Sequence, residues 1–298
     1  MLLWAGSGIA VKEALIVFSP LTLIVIRFTL AVLLMLCIGC VFRKNAVLGL
    51  QRIDKHDVKL FLLGGLFQPF LYFIFETYTY KSFLSPTIAE AMLSTQPILA
   101  PIFAWVLLRE RITRNNVIGI LVSTVGMLIL LLAGSSDFAL GSSWGVLLSV
   151  LTVSMSVSYT VVLRRIPSHY SPLSIVFYVQ SFALLLFYIL WGIMEGKAGI
   201  AAICSSPIIL PEQILTSFSA VGYLAVFSSV TAFILFCYTV REIGVTRANV
   251  FNNIRPVFTA VLMWILFSEQ LPLWKFVGIA IIIIGLFISQ KQEKYNIN

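Results

Sequence analysis

Charge is scarce in this sequence. Asp, Glu, Lys and Arg together make up 11% of its 298 residues, while hydrophobic residues make up 60%. Soluble domains carry about 25% charged and about 45–50% apolar residues. A soluble fold of this composition would lack the polar side chains needed to cover its surface. The composition therefore predicts an all-α integral membrane protein whose outer surface contacts the lipid bilayer.

Aspartate and histidine are rare as well. Aspartate occurs only at Asp54, Asp57 and Asp137, and histidine only at His56 and His169. Membrane-embedded enzymes acting on lipid or prenyl substrates generally use clustered Asp or His at a membrane face, so this class is disfavoured and we expect no enzyme. His56 and His169 fall in predicted loops without the neighbours that a metal or catalytic site needs. We expect neither a metal nor a cofactor.

The cysteines and the net charge also exclude functions. Cys37 and Cys40 form a C-x-x-C inside an apolar run, without a second ligand pair, so packing is favoured over a zinc or redox role. The formal charge is +8, but the basic residues lie in short loops between apolar runs. That distribution is typical of membrane proteins. Nucleic acid is not expected as a partner.

Two stretches of the chain repeat one pattern. Residues 86–128 align with residues 245–287 at a constant shift of 159, without gaps. Matches of Pro, Trp, Glu and Gly are hard to obtain by chance in apolar sequence. The matched pairs are Pro97 and Pro256, Trp105 and Trp264, Glu110 and Glu269, Gly119 and Gly278, and Gly126 and Gly285. Two related halves are predicted, an arrangement common among membrane transporters.

The apolar runs predict ten transmembrane helices. A helix needs about 20 residues to cross about 30 Å of hydrocarbon. The runs are 1–11, 21–42, 58–80, 86–108, 114–134, 142–163, 171–194, 216–240, 246–268 and 272–290. They give one five-helix repeat over 1–134, a second over 142–290, and a tail over 291–298. The run 1–11 is short, and we expect that an N-terminal turn or two is missing.

Loop charge predicts the orientation. With a cytoplasmic N-terminus, 14 basic residues fall in the inside segments and 4 in the outside segments. This bias places both termini in the cytoplasm, with the chain in the plasma or inner membrane. Five crossings per half is an odd number, so the second repeat is predicted to be inverted relative to the first.

Four charged side chains stand out at bilayer depth within the predicted helices, where each costs about 2.5–3.5 kcal/mol to insert. Arg27, Glu76 and Glu90 lie near the predicted outer side and are expected to form a cluster. The cluster is either a structural ion pair or a gate that titrates protons. Arg255 lies ten residues into its helix, at the predicted midplane.

A substrate site is predicted at the midplane. Gln96 is the repeat counterpart of Arg255, and each precedes a proline, Pro97 or Pro256, that weakens its helix as a hinge. Arg255 is interpreted as the holder of a carboxylate or another anion; the alternative is that it neutralises Glu90. The other predicted cavity residues are Ser94, Asn249, Asn252, Asn253, Tyr159 and Tyr178.

These features resemble the EamA-like drug/metabolite transporters. The resemblance rests on Trp4 and Ser7 as W-x-x-S, Arg27 after S-P-L-T, and P-x(12)-E with G-x(6)-G in both halves. It implies ten helices, cytoplasmic termini, a central cavity that opens alternately to each side, and export of amino acids or other small metabolites. The chain departs from that pattern in its short first helix and in Arg255, where the family more often carries an apolar residue.

The leading hypothesis is a secondary transporter that exports a small metabolite, an amino acid or organic anion, by alternating access. The alternative is efflux of cationic drugs by proton exchange, with Glu76 or Glu90 as the binding carboxylate. A receptor or scaffold would not need a doubled, inverted architecture. Ten helices can enclose a cavity in one chain, so a monomer suffices, and a homodimer stays open.

Overall fold

The computed structural model describes residues 1–45, 48–82, 89, 92–93, 96–109, 112–132, 143–196, 211–267 and 273–290. Within these ranges every regular element is helical and no strand occurs, which confirms the all-α prediction for this part of the chain. The helices are α1 Leu2–Ala14, α2 Pro20–Val41, α3 Val58–Gly65, α4 Tyr72–Ser82, α5 Gln96–Leu108, α6 Arg114–Leu132, α7 Ser143–Arg165, α8 Pro172–Met194, α9 Pro211–Tyr223, α10 Ala232–Ile243, α11 Val245–Val250, α12 Arg255–Phe267 and α13 Leu273–Gln290.

Five stretches of the described residues are long and apolar enough to cross a membrane. Large hydrophobic side chains point outward on them; Ile193, for example, is 78% exposed. Such a surface is stable against lipid and not against water. The five are Pro20–Val41, Val58–Ser82, Trp144–Arg165, Pro172–Met194 and Glu212–Ile243, with shorter apolar helices at Arg114–Ile129 and Phe276–Ser289.

Helices α2 and α8 start in the same way. Each has a serine at the N-cap followed directly by a proline, whose missing N–H breaks no helical bond at that position. The Ser171 hydroxyl oxygen accepts from the backbone N–H of Ser174 at 3.1 Å. At the start of α2 the bonds come from Glu195, the residue that follows α8. Its carboxylate accepts from the backbone N–H of Thr22 at 3.1 Å and from the Ser19 hydroxyl.

Three runs that the sequence predicts as continuous helices are interrupted. The breaks are the π-helical segments Leu66–Leu71 and Leu224–Thr231 and the 3₁₀ turn Phe251–Ile254. At the first break Gln68 has φ −147° and ψ 115°, outside the helical region, and Pro69 after it has no N–H to donate. Hydropathy does not reveal these breaks, because each polar pair or single polar residue in them is flanked by apolar residues on both sides.

Helices α6 and α13 form the most extensive helix pair. A Cβ added to Gly119 would lie 2.5 Å from the Gly285 carbonyl oxygen, and one added to Gly126 would lie 2.8 Å from the Gly278 carbonyl oxygen. Only glycine permits backbones to approach so closely. Numbering rises along one helix as it falls along the other, so the pair is antiparallel. Gly119 therefore meets Gly285, the sequence counterpart of Gly126, and Gly126 meets Gly278, the sequence counterpart of Gly119.

Other contacts between the halves are reciprocal at the level of whole predicted runs. Helix α1 packs against the run 216–240 and against α12. Helix α7, the first helix of the second half, packs against the run 58–80 and against α5, and α2 packs against α8. Aromatic rings fill the centre: the ring centres of Phe28 and Phe73 are 4.9 Å apart, and those of Phe28 and Phe187 are 5.4 Å apart. The halves therefore interlock rather than forming separate domains.

Candidate functional site

A small, buried cavity with polar side chains in its wall lies where the interrupted helices meet. Its volume is about 10 Å³, about enough for a single ordered water. The cavity is lined by Trp4, Ser7, Gln68, Tyr72, Phe73, Glu76, Gln96, Ser156, Ser228, Phe233, Phe236, Asn252 and Arg255. Both halves contribute walls, and the cavity in this conformation is too small to hold a metabolite.

A chain of hydrogen bonds crosses the cavity. The Ser156 hydroxyl of α7 donates to Gln68 Oε1 at 3.2 Å and accepts from Gln96 Nε2 at 2.6 Å. Asn252 Nδ2 donates to Gln96 Oε1 at 3.1 Å and to Asn249 Oδ1 at 3.3 Å. The two glutamines belong to the first half and the other residues to the second. Because the chain is buried, it fixes the position of one half against the other.

The π-helical segment Leu224–Thr231 is the second point where the halves are joined. A π segment shifts carbonyls out of the α-helical bonding pattern, and in a membrane these need protein partners. Trp4 Nε1 donates to the Ser228 carbonyl at 3.1 Å, and Gln180 Nε2 donates to the Ser229 carbonyl at 2.7 Å. Arg27 donates to both serine hydroxyls, at 2.9 Å to Ser228 and 2.7 Å to Ser229.

The predicted cluster of Arg27, Glu76 and Glu90 is described in part: the charges of Arg27 and Glu76 attract each other, but their side chains form no direct ion pair. The Arg27 guanidinium lies 4.3 Å from the ring centre of Phe73 and bonds the serine hydroxyls. Glu76 accepts from the Tyr72 hydroxyl at 2.8 Å. Arg27 and Glu76, both within the described residues, do not pair directly, because hydroxyls and a ring already surround the guanidinium. Glu90 lies outside the described residues. Glu76 lines the cavity, whereas Arg27 lies behind its wall.

Arg255 is the first residue of α12, directly after the 3₁₀ turn, and is 4% exposed. Its guanidinium carbon lies 5.8 Å from the Trp4 ring centre, within cation–π range. The structure thus brings Arg255 and Gln96, the two residues assigned to the midplane from sequence, to one cavity that Glu76 shares. Asn252 Oδ1 is buried nearby and accepts no hydrogen bond from any described residue.

The predicted hinges differ in how far the structure describes them. Pro256 is the second residue of α12, so the weak point predicted there coincides with a break in the helix. Pro97 is the second residue of α5, but residues 94–95 lie outside the described residues. Ser94 and the side chain of Asn253 lie outside them too.

The two predicted cavity tyrosines lie elsewhere. Tyr159 is buried with its ring centre 6.3 Å from that of Phe233, and no described residue bonds its hydroxyl. Tyr178 packs against Phe61 at 6.1 Å. Neither lines the cavity. The helix of Tyr159 supplies Ser156 instead, and the helix of Tyr178 supplies no lining residue. The face of a helix that reaches the centre depends on helix rotation, which the sequence does not give.

Sequence reasoning missed several lining residues, among them Gln68 and Ser156, whose side chains carry the hydrogen-bonded chain. A glutamine followed by proline within an apolar run was a usable signal for Gln68. Ser156 is one of many serines in α7, and nothing in the sequence separates it from Ser154 or Ser158.

His169 lies close to two carboxylates, which the sequence did not indicate. Ligand atoms of Asp54, Asp57 and His169 lie within 4.8 Å of one another. The Tyr170 hydroxyl donates to Asp57 at 3.0 Å and accepts from the backbone N–H of Asp54 at 2.9 Å. These bonds fix the loop before α3 against the loop before α8, which is a structural role.

Comparison with known proteins identifies the family. The EamA-like transporter family matches residues 1–132 and 143–290. The chain is 27% identical to "Uncharacterized transporter YetK" of Bacillus subtilis (strain 168), over 97% of this chain and 84% of that protein. It is 24% identical to "S-adenosylmethionine/S-adenosylhomocysteine transporter" of Chlamydia muridarum (strain MoPn / Nigg), over 98% and 89%.

A solved crystal structure shares the fold. It superposes with a TM-score of 0.72 at 20% identity and covers 97% of this chain and 94% of its own. Family match, relatives and apolar helices agree on a multi-pass membrane protein. The chain belongs to the EamA-like transporter family.

Proposed function

We propose that this protein is a secondary transporter that exports a small metabolite, an amino acid or organic anion, by alternating access. The buried polar cavity at three helix breaks, walled by both halves, carries the proposal. Secondary transporters hold their substrates where discontinuous helices of two repeats meet. A cavity with room for one water must enlarge to admit a metabolite, so the described conformation corresponds to a closed state.

The proposed architecture is ten helices in two inverted five-helix repeats. Support comes from α6 and α13, which match in sequence, run antiparallel and touch at matched glycines. The packing of α1 and of α7 is reciprocal. Contacts in which each residue meets the counterpart of its partner are the mark of a two-fold axis. Rocking of one half against the other about that axis would open the cavity to each side in turn.

The charges around the cavity favour a zwitterionic substrate. Arg255 offers a planar guanidinium that suits a carboxylate. Glu76 and Asn252 Oδ1 offer acceptors for an ammonium group, and Asn252 Oδ1 has no donor among the described residues. The Chlamydia muridarum relative is named for S-adenosylmethionine, a compound that carries both an amino-acid carboxylate and positive charge. It therefore belongs in a ligand panel for this protein.

A second candidate is efflux of cationic drugs by proton exchange. The presence of the Glu76 carboxylate in the cavity wall favours it, because a cation and a proton could compete for one buried carboxylate. Arg255 in the same cavity opposes it, since a guanidinium repels a cationic substrate.

The proposed location is the plasma or inner membrane with both termini in the cytoplasm. The basis is the distribution of basic residues among the loops.

Thermal stabilisation of the purified full chain by amino acids, organic acids, S-adenosylmethionine and cationic dyes tests the two candidates. Removing one partner of a buried, hydrogen-bonded charge pair costs about 2–5 kcal/mol, so Arg255→Ala should weaken binding of a carboxylate substrate about 30-fold or more. Arg43→Ala removes an exposed arginine and should change nothing.

The outcomes separate the hypotheses. Stabilisation by zwitterions that Arg255→Ala abolishes supports the proposal. Stabilisation by cations alone, lost in Glu76→Gln and kept in Arg255→Ala, would establish the efflux alternative instead. Uptake of the stabilising compound into proteoliposomes then checks that binding leads to transport.

A further inference from the structure

A second pocket of about 760 Å³ opens at the ends of α7 and α10 and shares no lining residue with the central cavity. Its walls include Arg164, Arg165, Arg241 and Tyr238. We propose that this pocket binds the phosphate headgroup of an anionic membrane phospholipid. The site is separate from the proposed substrate path and stands or falls independently of it.

The arginines are held in place before any ligand binds. Arg164 Nη1 donates to the Arg241 carbonyl at 2.5 Å, and Arg165 Nη2 donates to the Leu107 carbonyl at 2.7 Å. Arg241 Nη1 donates to the Tyr170 carbonyl at 2.7 Å. A guanidinium has five N–H donors, so these bonds fix each group while most of its donors stay available. Fixed guanidinium groups bind phosphate with little further loss of side-chain entropy.

Charge around the pocket is unbalanced. Glu242 is the one carboxylate in its lining, against three guanidinium groups. His169 also lines the pocket, and its Nε2 lies 3.8 Å from the exposed Asp54 carboxylate. The excess is positive even with a neutral histidine. Positive charge concentrated in a concave site selects a compact anion such as a phosphate rather than scattered counterions.

The surroundings favour a lipid over a soluble anion. Helix α10 ends the membrane-crossing stretch Glu212–Ile243, with Arg241 in its last turn. On its outer face Leu235 is 57% exposed and Tyr238 is 50% exposed. Tyrosine concentrates at headgroup level, and basic pockets between transmembrane helices bind anionic headgroups. The acyl chains of a lipid in this pocket would lie along that apolar face.

Affinity of the purified full chain for phosphatidylglycerol, against phosphatidylcholine, tests the assignment by native mass spectrometry. Each arginine near an anionic headgroup contributes about five-fold to affinity, so Arg164→Gln with Arg165→Gln should weaken phosphatidylglycerol binding about 30-fold. The matched control, Arg43→Gln with Arg114→Gln, removes the same charge from exposed positions outside the pocket. It should leave binding unchanged.

Three results would overturn the proposal. The first is equal weakening of phosphatidylglycerol binding in both double variants, and the second is unchanged phosphatidylglycerol affinity in the pocket variant. The third is an affinity for inorganic phosphate equal to that for the lipid. If the variant with both glutamine substitutions does not fold, Arg164→Lys with Arg165→Lys serves instead, because it keeps the positive charge and removes the planar guanidinium groups. That variant should still prefer phosphatidylglycerol over phosphatidylcholine, and loss of the preference would count against the site.

Discussion

Ser156 shows how much one small side chain can hold. Its hydroxyl is the only link in the described chain between Gln68 of the first helix break and Gln96 of α5. Both amides are buried, so neither can find water if the link is lost. One serine in a mostly apolar helix thus helps to fix the position of the second half against the first.

Replacing Ser156 with alanine should therefore destabilise the protein. The change leaves Gln68 Oε1 and Gln96 Nε2 without this partner, at a cost of about 1–3 kcal/mol. We expect a fall of several degrees in the apparent melting temperature in detergent, and weaker substrate stabilisation.

The control is Ser158→Ala on the same helix, whose hydroxyl donates to the Ser154 carbonyl at 2.8 Å. Its effect should stay within about 0.5 kcal/mol. Equal effects of the two substitutions would show that the polar chain does not couple the halves.

Arg27 carries a further lesson at the residue scale. A buried guanidinium is usually assumed to need a carboxylate, and the sequence offered Glu76. The structure uses two hydroxyls and an aromatic ring instead. These neutral partners supply directed hydrogen bonds and a negative ring face, which leaves Glu76 at the cavity.

At the scale of elements, close backbone approach joins the halves. Gly119 and Gly126 of α6 meet α13 at distances that a side chain would not allow, and the nearest atoms are backbone atoms that cannot move aside. This antiparallel pair is therefore a tightly packed contact between the two halves.

Gly119→Ala should separate this pair. Its Cβ would lie 2.4 Å from the Ser289 backbone nitrogen, and overpacking of this kind costs about 1–3 kcal/mol. Thermal unfolding measures the loss. Gly192→Ala in α8 is the control, because nothing lies within 4 Å of its added Cβ; alanine should stabilise that helix slightly. Tolerance of both changes would contradict the described crossing.

At the scale of the whole molecule, the proposed inverted arrangement determines which side of the membrane each loop faces. Residues 15–19 follow the C-terminal end of α1, and residues 166–171 follow the C-terminal end of α7, the first helix of the second half. In the proposed inverted arrangement, the first faces outward and the second faces the cytoplasm.

Labelling of single cysteines tests that arrangement. In a background with the four natural cysteines replaced, Ile16→Cys should react with a membrane-impermeant maleimide in intact cells. Ser168→Cys should react only after the membrane is permeabilised. Both side chains are exposed, so access to reagent and not burial sets the outcome. Labelling of both positions from outside would rule out the proposed topology.

Much of this protein follows from its sequence alone. The composition predicted that the protein is surrounded by lipid, because it has too few charged residues to cover a surface that faces water. The spacing of Pro, Trp, Glu and Gly predicted two related halves, and the family match likewise covers two segments, 1–132 and 143–290. Counting residues from helix ends placed Gln96 and Arg255 at one level, because helix rise is nearly constant. These inferences use quantities that are local or additive along the chain.

The tertiary structure alone decided which polar groups meet. Arg27 bonds a serine 202 positions away, and Gln96 bonds one 60 positions away. At the second break, Trp4 and Gln180 supply donors to the Ser228 and Ser229 carbonyls. Such pairings depend on helix rotation and on distances between segments remote in sequence, which no local pattern encodes.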